Sequence, residues 1–244
     1  MENKNIQAII LAGGLGKRLR PLTKTIPKPM VKINNKPFLE FKIEQLKQHN
    51  IFEIILCVGY LGEKIEAYFG DGKKFGVNIT YSYEKELLGT AGAIKNAESL
   101  INSKNFLVMN GDVFVPVDLS KFLEFHEIHK PLLSMVVTSA TNPFEQELVN
   151  LDRESILNFY KRDTEEHRDH LKKTKFPLIN GGVYIFDKFL LDFIPLNKKC
   201  SLEQEIFPNL LGKIKAFLYE DYFIDIGNID SLEEFRNKLN NKNK

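Results

Sequence analysis

Cysteine is scarce in this 244-residue chain, which contains only Cys57 and Cys200. Two cysteines so far apart in the sequence make neither a disulfide framework nor a zinc site. Cys57 lies within the apolar run Ile54–Val58, so we expect it to be a small residue of the hydrophobic core.

Long apolar runs and an excess of one charge are also missing. No apolar run reaches the roughly 18 residues that a membrane span requires, and the polar start, Met1–Asn5, does not have the shape of a signal peptide. The net charge of +2 gives no argument for nucleic acid or an anionic membrane as a partner. We therefore expect a cytoplasmic protein that binds neither of them.

Hydrophobic residues (43%) and charged residues (27%) occur in the proportions of an ordinary globular protein. The first half alternates apolar runs with helical patterns, which predicts a mostly parallel sheet with crossover helices. Its predicted strands are Gln7–Leu11, Glu53–Val58, Val77–Tyr81 and Phe106–Met109. Its predicted helices are Pro37–His49, Leu61–Phe69 and Gly89–Leu100.

The second half is less regular. Strands are predicted at Leu132–Ser139, Ser155–Lys161, Ile179–Phe186, Ile214–Tyr219 and Tyr222–Ile226. Helices are predicted at Leu119–His129, Ser201–Leu211 and Ile229–Leu239, the second with a capping box of Ser201 and Gln204. The segment Arg162–Lys175 is polar and without periodicity, which predicts an exposed excursion with His167 and His170 in solvent.

Together these patterns predict an α/β fold with a Rossmann-like open, mostly parallel mixed sheet and helices on both faces. We expect a single domain over residues 1–240, with an N-terminal nucleotide half at about 1–115 and a C-terminal substrate half at about 116–240. Residues 241–244 are expected to be a frayed tail.

A glycine-rich loop with basic residues follows the first predicted strand. Gly13, Gly14 and Gly16 let backbone N–H groups approach an anion, and Lys17, Arg18 and Lys28 add positive charge. The loop is neither a Walker A element nor a dinucleotide fingerprint, because its spacing fits neither. A glycine turn that serves structure alone is the alternative.

The segment Leu11–Thr23, LAGGLGKRLRPLT, followed by Pro27–Met30, PKPM, resembles the defining motif of the sugar-1-phosphate nucleotidyltransferases. Further marks of that family recur in order to about Phe235. The resemblance implies that a sugar phosphate oxygen attacks the α-phosphorus of a nucleoside triphosphate and that pyrophosphate leaves. It also implies a catalytic role for Arg18 at the β- and γ-phosphates, for Lys28 at the α-phosphate and for Asp112. The nucleotide-binding residues it implies in the loop are Leu11, Ala12, Gly13, Gly14, Gly16, Lys17, Arg18 and Lys28.

Two carboxylates are candidate metal ligands. Asp112 comes directly after the fourth predicted strand, and Asp225 lies between apolar neighbours. Magnesium prefers one or two carboxylates together with phosphate oxygens. From the residues alone, the alternatives are a turn residue for Asp112 and a capping or hydrogen-bonded core residue for Asp225. The resemblance implies that both bind Mg²⁺.

The segment Glu84–Ala93 resembles the loop that contacts base and sugar in that family, with Leu87 where a proline is common. The resemblance places Gly89 and Thr90 at the nucleotide. A carboxylate at Glu84 can accept two hydrogen bonds from the edge of guanine, whereas uracil and thymine offer one donor between two carbonyls. Glu84 therefore favours a guanine nucleotide, and an exposed loop charge is the alternative.

Three residues are expected at the sugar phosphate: Gly111, Lys161 and Asn180. Lys161 stands where the family has Glu-Lys-Pro, although its neighbours here are Tyr160 and Arg162. Asn180 begins a segment similar to the family's Asn-Ala-Gly strand. A solvated lysine and a buried turn asparagine are the alternatives.

The resemblance is greatest to guanylyltransferases acting on heptose or mannose 1-phosphate, with D-glycero-D-manno-heptose 1-phosphate as the leading acceptor. The expected partners are GTP, a sugar 1-phosphate and Mg²⁺, and a homo-oligomer is compatible with the sequence. The rival hypotheses are a thymidylyl-, cytidylyl- or uridylyltransferase on glucose 1-phosphate, a cytidylyltransferase for phosphocholine, and a non-catalytic sensor of nucleotide sugars.

Overall fold

The structure, a computed structural model, describes residues 6–221 and 223–242, the last six of them without their side chains. Thirteen strands lie within these residues: β1 Gln7–Leu11, β2 Lys32–Ile33, β3 Lys36–Pro37, β4 Glu53–Val58, β5 Asn78–Tyr83, β6 Asn105–Asn110, β7 Val113–Phe114, β8 Leu133–Ser139, β9 Leu148–Asp152, β10 Ser155–Tyr160, β11 Leu178–Asp187, β12 Ile214–Tyr219 and β13 Ile224–Asp225. Six α-helices accompany them: α1 Phe38–Gln48, α2 Gly62–Phe69, α3 Gly89–Asn96, α4 Leu119–His129, α5 Glu165–Lys173 and α6 Ile229–Lys242.

Nine strands form one mixed sheet in the order β5-β4-β1-β6-β11-β8-β12-β10-β9. The four strands of the first half, β5, β4, β1 and β6, are all parallel to one another, as the sequence predicts. Parallel neighbours need long crossovers, and helices α1, α2 and α3 lie in the connections between them. The carboxyl ends of these four strands therefore meet at one edge of the sheet.

The second half departs from the predicted open, mostly parallel sheet. Strand β11 is antiparallel to β6 and β8, and β9 and β10 are antiparallel to each other. Strand β11 also pairs with β9, so that β11, β8, β12, β10 and β9 form a closed ring of pairings. For β9 and β10 the physical reason is their short connection: two residues allow an antiparallel hairpin but no crossover.

Both faces of the sheet are buried. Along β1, Ile9 packs into the hydrophobic cluster on one face, while Ala8 and Ile10 pack into the cluster on the other. Cys57 is fully buried in the first cluster, as predicted. Such two-sided burial is typical of sheets covered by helices on both faces.

A third cluster holds the basic loop against the end of the chain. Leu19 of the loop, Ile224 and Ile226 on either side of Asp225, and Phe235 of α6 are all buried in it. Phe235 meets Phe38 of α1 edge-on, with ring centroids 5.7 Å apart. Segments far apart in the sequence are thereby fixed next to one another.

The segment Arg162–Lys175 is not the featureless excursion that the sequence predicts, because it contains α5. The Thr164 side chain caps this helix and accepts a hydrogen bond from His167 N at 3.2 Å. His167 is only 2% exposed and its Nε2 lies 2.9 Å from the Gln146 carbonyl oxygen, so its predicted exposure is wrong. His170 stacks on Tyr160 at 4.2 Å. Nine residues with one buried side chain give too little periodicity to reveal a helix.

Other boundaries also differ. Helix α3 ends at Asn96, short of the predicted Leu100. The predicted helix at Ser201–Leu211 is a single wide turn, Leu202–Ile206, followed by a tight turn, Phe207–Leu210, because Pro208 has no N–H to continue a helix. Ser201 caps Gln204 N as predicted, but Glu205 rather than Gln204 accepts from Ser201 N.

Three expectations involve the end of the chain or membranes. Strand β13 is shorter than predicted, and Tyr222 lies outside the described residues. Helix α6 reaches Lys242 and 243–244 lie outside the described part, so the frayed tail at 241–244 stays a prediction. None of the helices described is long and apolar enough to cross a membrane.

Candidate functional site

A cavity of about 400 Å³ opens at the carboxyl ends of the parallel strands. This is the edge at which open α/β sheets bind their ligands. Ten of the residues predicted for the site line it: Leu11, Ala12, Gly13, Gly14, Lys28, Glu84, Gly89, Thr90, Gly111 and Asp112. Six predicted residues do not: Gly16, Lys17, Arg18, Lys161, Asn180 and Asp225. Five lining residues were not predicted: Pro29, Leu87, Ala93, Asn110 and Lys199.

The glycine loop packs closely against two other loops. Gly111 N donates to the Leu11 carbonyl at 2.9 Å, and a Cβ on Gly111 would lie 2.3 Å from that oxygen. A Cβ on Gly13 would lie 2.5 Å from Glu84 Oε1. A Cβ on Gly14, in contrast, would meet no protein atom within 4 Å. Gly13 and Gly111 are therefore needed for packing, and Gly14 leaves open space in the cavity.

The basic part of the loop, Lys17 and Arg18, is not part of the cavity lining. Gly16 has a φ of +58°, and its carbonyl accepts a hydrogen bond from Thr23 Oγ1 at 2.7 Å. Lys17 and Arg18 follow on an exposed single turn. A Cβ on Gly227 would lie 3.0 Å from Arg18 Nη2 and 2.9 Å from both carboxylate oxygens of Asp225, so these two charged groups share one side of Gly227.

Lys28 joins the two predicted metal ligands. Its Nζ lies 2.5 Å from Asp112 Oδ2 and 3.9 Å from Asp225 Oδ1, and the lysine side chain is only 9% exposed. Strand β7 pairs with β13 beside it, so that Asp225 is opposite Val113, the residue after Asp112. This two-stranded pairing brings together carboxylates from the two halves of the chain.

The two carboxyl groups differ in their proton affinity. Desolvation opposes ionisation of Asp112, but the charge of Lys28 and its hydrogen bond outweigh that effect and lower the pKa. At Asp225, desolvation and the negative charge of Asp112 together raise the pKa above its usual value. Asp225 Oδ1 is buried and has no hydrogen-bond partner among the described residues. A buried carboxylate oxygen without a partner is costly, and a cation bound there would remove that cost.

A second buried lysine lies beneath this pair. Lys42 of α1 is 0% exposed, and its Nζ has no hydrogen-bond partner in the part of the chain that the structure describes. Burial lowers the pKa of Lys42 to about 7, although the negative charge of Asp112 opposes the shift. Nothing in the sequence pattern marks Lys42, because a lysine on a helix is usually solvated.

Glu84 lines the cavity but is already partly engaged. Its Oε2 accepts a hydrogen bond from Leu88 N at 2.9 Å, which closes the loop between β5 and α3. Its Oε1 faces Gly13. Burial raises the pKa of Glu84, and the bond from Leu88 opposes that shift. A ligand at Glu84 would meet an acceptor that is held in place by the backbone.

The start of α3 is clamped by the segment 198–203. The Cys200 carbonyl accepts from Ala91 N at 3.0 Å and from Gly92 N at 3.1 Å, and Cys200 N donates to the Leu88 carbonyl at 2.8 Å. Gly89, with a φ of +74°, leaves no room for a Cβ, which would lie 2.6 Å from the Cys200 carbonyl oxygen. Thr90 Oγ1 donates to Glu203 Oε2 at 2.9 Å.

The two predicted sugar-phosphate residues outside the lining differ in their surroundings. The Asn180 side chain accepts from Gly182 N at 2.9 Å and donates to the Tyr184 hydroxyl at 2.8 Å. The side chain of Asn110, which lines the cavity, lies close enough to the Tyr184 hydroxyl to lower its pKa, against the larger opposing effect of burial. Asn180 is thus connected to the cavity through Tyr184. Lys161 is exposed, and its hydrogen bonds to Thr164 use its backbone carbonyl.

Several known proteins are similar to this chain in sequence and in fold. A sequence profile described as Nucleotidyl transferase matches residues 7–242. The chain is 42% identical over 223 residues to a D-glycero-alpha-D-manno-heptose 1-phosphate guanylyltransferase of Campylobacter jejuni, covering 91% of this chain and 95% of the relative. It is 39% identical over 236 residues to the protein of the same name from Aneurinibacillus thermoaerophilus, covering 96% of this chain and 98% of the relative.

A solved structure agrees with these matches. The crystal structure of HddC from Yersinia pseudotuberculosis complexed with GMP-PN superposes with a TM-score of 0.82 and 30% sequence identity. The match covers 96% of this chain and 100% of that one. The similarity therefore extends over both halves of the described chain and not only over the glycine loop.

We expect Gly13→Ala and Gly14→Ala to separate packing from ligand contact. Gly13→Ala displaces Glu84 and should lower the melting temperature of the ligand-free protein by several degrees, as expected for about 1–2 kcal/mol of strain. Gly14→Ala should leave that temperature unchanged but weaken nucleoside triphosphate binding, because its methyl group enters the cavity. Differential scanning calorimetry with and without nucleotide measures both effects. Equal melting temperatures for the two ligand-free variants would contradict this account of Gly13.

We expect Lys42→Met to stabilise the protein near pH 7 by about 1–3 kcal/mol, because it replaces an unpartnered buried ammonium with an apolar side chain of similar length. Between pH 7 and 10 the unfolded chain binds more protons at this lysine than the folded chain, so the wild type gains stability with rising pH. The advantage of the variant should shrink accordingly.

Urea unfolding at several pH values measures the difference between Lys42→Met and the wild type. The exposed Lys121 of α4 provides the control, since Lys121→Met should change stability by less than about 0.5 kcal/mol at every pH. A Lys42→Met variant that is less stable than the wild type at pH 7 would show that the ammonium makes a favourable contact.

Proposed function

Because the chain belongs to the nucleotidyl transferase family, whose profile matches residues 7–242, we propose that it transfers GMP from GTP to a sugar 1-phosphate. D-glycero-D-manno-heptose 1-phosphate is the leading acceptor and mannose 1-phosphate the second. The observation that carries the proposal is the cavity itself, where Gly14, Glu84, Lys28 and Asp112 line one space at the ends of parallel strands. The names of the two relatives support the choice of base and sugar.

The reaction needs positioning and charge rather than a covalent enzyme intermediate. An oxygen of the sugar phosphate attacks the α-phosphorus, the bond from that phosphorus to the bridging oxygen of the β-phosphate breaks, and pyrophosphate leaves. We propose that Lys28, held beside the cavity, stabilises the charge that develops on the α-phosphate. Arg18, on the exposed turn beside Asp225, would take the β- and γ-phosphates.

Asp112 and Asp225 fit a divalent metal ion, which we propose to be Mg²⁺. The fit rests on Asp225 Oδ1, which is buried without a hydrogen bond and lies 3.9 Å from Lys28 Nζ, and on two carboxylates that share one lysine. Two carboxylates plus phosphate oxygens are a donor set that Mg²⁺ accepts. When bound, the ion would neutralise the phosphate charge. The negative charges of the two aspartates are offset by the positive charges of Lys28 and Arg18, which lie near Asp225.

The two halves of the chain divide the work in this proposal. Residues at about 1–115 supply the glycine loop, Glu84 and Asp112, which we assign to the nucleotide. Residues at about 116–240 supply Asp225 and the segment around Asn180, which we assign to the metal and the sugar phosphate. We further propose that both halves form one domain. The predicted cytoplasmic location and homo-oligomer stay predictions.

The rival functions differ in base, acceptor or chemistry. A pyrimidine nucleotidyltransferase acting on glucose 1-phosphate would use the same carboxylates and lysine. A phosphocholine cytidylyltransferase would not need the polar path from Asn180 to the cavity. A sensor of nucleotide sugars would need no metal carboxylates, whereas Asp112 and Asp225 are both present beside Lys28.

A pyrophosphate-release assay tests the proposal directly. Four nucleoside triphosphates are combined with heptose, mannose and glucose 1-phosphates and with phosphocholine in the presence of Mg²⁺. We expect GTP with the heptose or mannose ester to give the highest kcat/KM, and the Asp112→Ala, Asp225→Ala double variant to lose at least about 1,000-fold in kcat. If UTP or dTTP is used and GTP is not, the base would be a pyrimidine and the guanine assignment would be wrong. No turnover with any pair of substrates would favour the sensor.

The base assignment has its own test in Glu84→Gln. The glutamine oxygen can still accept from Leu88 N, so the loop stays closed while the second atom becomes a donor. We expect kcat/KM with GTP to fall about 10- to 100-fold, because two donors then face each other at the guanine edge. Kinetics with GTP, ITP and UTP measure the preference. An unchanged ratio of GTP to UTP would remove Glu84 from base recognition.

A further inference from the structure

A fully buried tyrosine lies next to the lining of the cavity. Tyr184 of β11 is 0% exposed, and its ring packs against Phe186 and Phe207 with centroids 6.1 and 5.5 Å away. Burial raises the pKa of its hydroxyl well above the usual value, so the group stays neutral and can both donate and accept hydrogen bonds. A hydroxyl in an apolar core is costly unless it is hydrogen-bonded, so its partners indicate its role.

Two asparagine side chains meet at this hydroxyl. Asn180 Nδ2 donates to the Tyr184 hydroxyl oxygen at 2.8 Å. The side chain of Asn110, which lines the cavity, lies beside the same hydroxyl. Asn110 is the last residue of β6, whereas Asn180 belongs to β11. The hydroxyl of Tyr184 therefore lies between amides that come from the two halves of the chain.

The contact between Asn180 and Tyr184 depends on a bulge in β11. In a regular strand, residues four positions apart are separated by about 13 Å along the strand. The partners of these two residues on β8 are Val137 and Met135, which are only two positions apart, so β11 has two extra residues there. A bulge of this kind bends its strand and re-aims the side chains beside it. It brings the asparagine amide within reach of the hydroxyl.

Glycines allow this bulge to pack closely on both sides. Gly182 has a φ of +68°, and a Cβ there would lie 3.0 Å from Asn110 Nδ2. A Cβ on Gly181 would lie 2.9 Å from the Val136 carbonyl oxygen. Asn180 Oδ1 accepts a hydrogen bond from Gly182 N at 2.9 Å. Both ends of the Asn180 amide are thus held, and the amide keeps one orientation.

The two amides still have hydrogen-bonding capacity for a ligand. An amide group has two N–H hydrogens and an oxygen with two lone pairs, and Asn180 uses only one of each on protein groups. Asn110 Oδ1 is buried without a hydrogen-bond partner in the described part of the chain. A sugar has several hydroxyl groups that both donate and accept. The orientation of the amides decides which arrangement of hydroxyls fits, because turning an amide over exchanges its donor for its acceptor.

We propose that Tyr184 is a positioning residue for the acceptor, whose hydroxyl holds the amides of Asn110 and Asn180 in the orientation that recognises the hydroxyl groups of the sugar 1-phosphate. This inference rests on the proposed function and adds to it a residue that sets the choice of sugar. Tyr184 has no exposed surface and acts only through the two asparagines. Its loss therefore changes the use of the acceptor and not the binding of GTP.

The test compares Tyr184→Phe with Tyr81→Phe. Phenylalanine keeps the ring packing and removes only the hydroxyl, so Tyr184→Phe should lower the melting temperature by only about 2–4 °C. The Tyr81 hydroxyl donates to the Gly70 carbonyl at 2.7 Å and is not part of the cavity lining, so Tyr81→Phe controls for the loss of one tyrosine hydrogen bond. We expect Tyr184→Phe to raise the KM for the sugar 1-phosphate about 10-fold, the size of one hydrogen bond. The KM for GTP should stay within about twofold, and Tyr81→Phe should leave both values unchanged.

The choice of sugar separates positioning from a general weakening of the structure. Mannose and glucose 1-phosphates differ in the direction of one hydroxyl group. Tyr184→Phe should reduce the ratio of their kcat/KM values about 3- to 10-fold, because the amides are then free to turn. A purely structural role would lower both values together, so an unchanged ratio would overturn the inference. A KM that rises for GTP and not for the sugar 1-phosphate would overturn it as well.

A double-mutant cycle tests whether Tyr184 acts through Asn180. Asn180→Ala removes the amide that the hydroxyl holds, so the hydroxyl then has less to position. The rise in acceptor KM for the combined variant should be at least about threefold smaller than the product of the two single rises. A rise equal to that product would show that the two residues act independently and that the inference is wrong.

Calorimetric titration separates a failure of this inference from a failure of the proposed function. Mannose 1-phosphate and D-glycero-D-manno-heptose 1-phosphate are titrated into wild type, Tyr184→Phe and Tyr81→Phe with the α,β-methylene analogue of GTP present, in which the reacting bond cannot break. Weaker binding to Tyr184→Phe alone supports the inference even if GTP is not turned over, in which case the function and not the residue is wrong. Equal binding by all three proteins overturns the inference whatever the turnover, and no binding by wild type overturns both.

Discussion

The ion pair between Lys28 and Asp112 is the contact on which the arrangement of the site depends. It joins residues 84 positions apart in the sequence and places an almost fully buried ammonium next to a carboxylate. A buried charge is tolerated only when it is paired, and removing one partner of such a pair leaves the other at a cost of several kcal/mol. The glycine loop, the end of β6 and strand β13 must therefore keep their relative positions for Lys28 to remain buried.

The surrounding charges explain how a site for a highly charged ligand stays folded without one. Lys28 and Arg18 lie near Asp225, and Lys42 lies beneath Asp112. Negative and positive groups offset one another, so that the lowered pKa of Asp112 and the raised pKa of Asp225 follow from one set of neighbours. A metal ion bound with phosphate oxygens adds a cation and anions together, which leaves this balance nearly unchanged.

Much of the site could be predicted because it is local in sequence. A strand followed by glycines or by Asn-Gly-Asp places those residues at the ligand-binding edge of a parallel sheet, whichever order the strands take. Glu84, Gly89 and Asp112 line the cavity for that reason. Asp225 is different, since a strand of two residues, β13, brings it to Asp112, and such a short pairing has no periodicity.

Other features depend on contacts between distant segments. Lys199 reaches the cavity because Cys200 pairs with the start of α3, more than 100 residues earlier, and no pattern around Lys199 indicates that contact. Lys42 is fully buried, although a lysine on a helix is usually solvated. The antiparallel pairings in the second half of the sheet were not predicted, because they depend on the short connection between β9 and β10 and on β11 pairing on both edges.

The glycines of the loop have structural roles that the sequence motif does not reveal. From the sequence, its glycines are expected to admit a phosphate. In the folded chain, a Cβ on Gly13 would collide with the carboxylate of Glu84, and a Cβ on Gly111 would collide with the carbonyl of Leu11. Only Gly14 borders open space. A side chain at Gly13 would displace Glu84, and one at Gly111 would separate Asp112 from the end of β1. Gly13 and Gly111 therefore serve the site by letting Glu84 and the Asp112 segment pack against the loop, whereas Gly14 borders the open space itself.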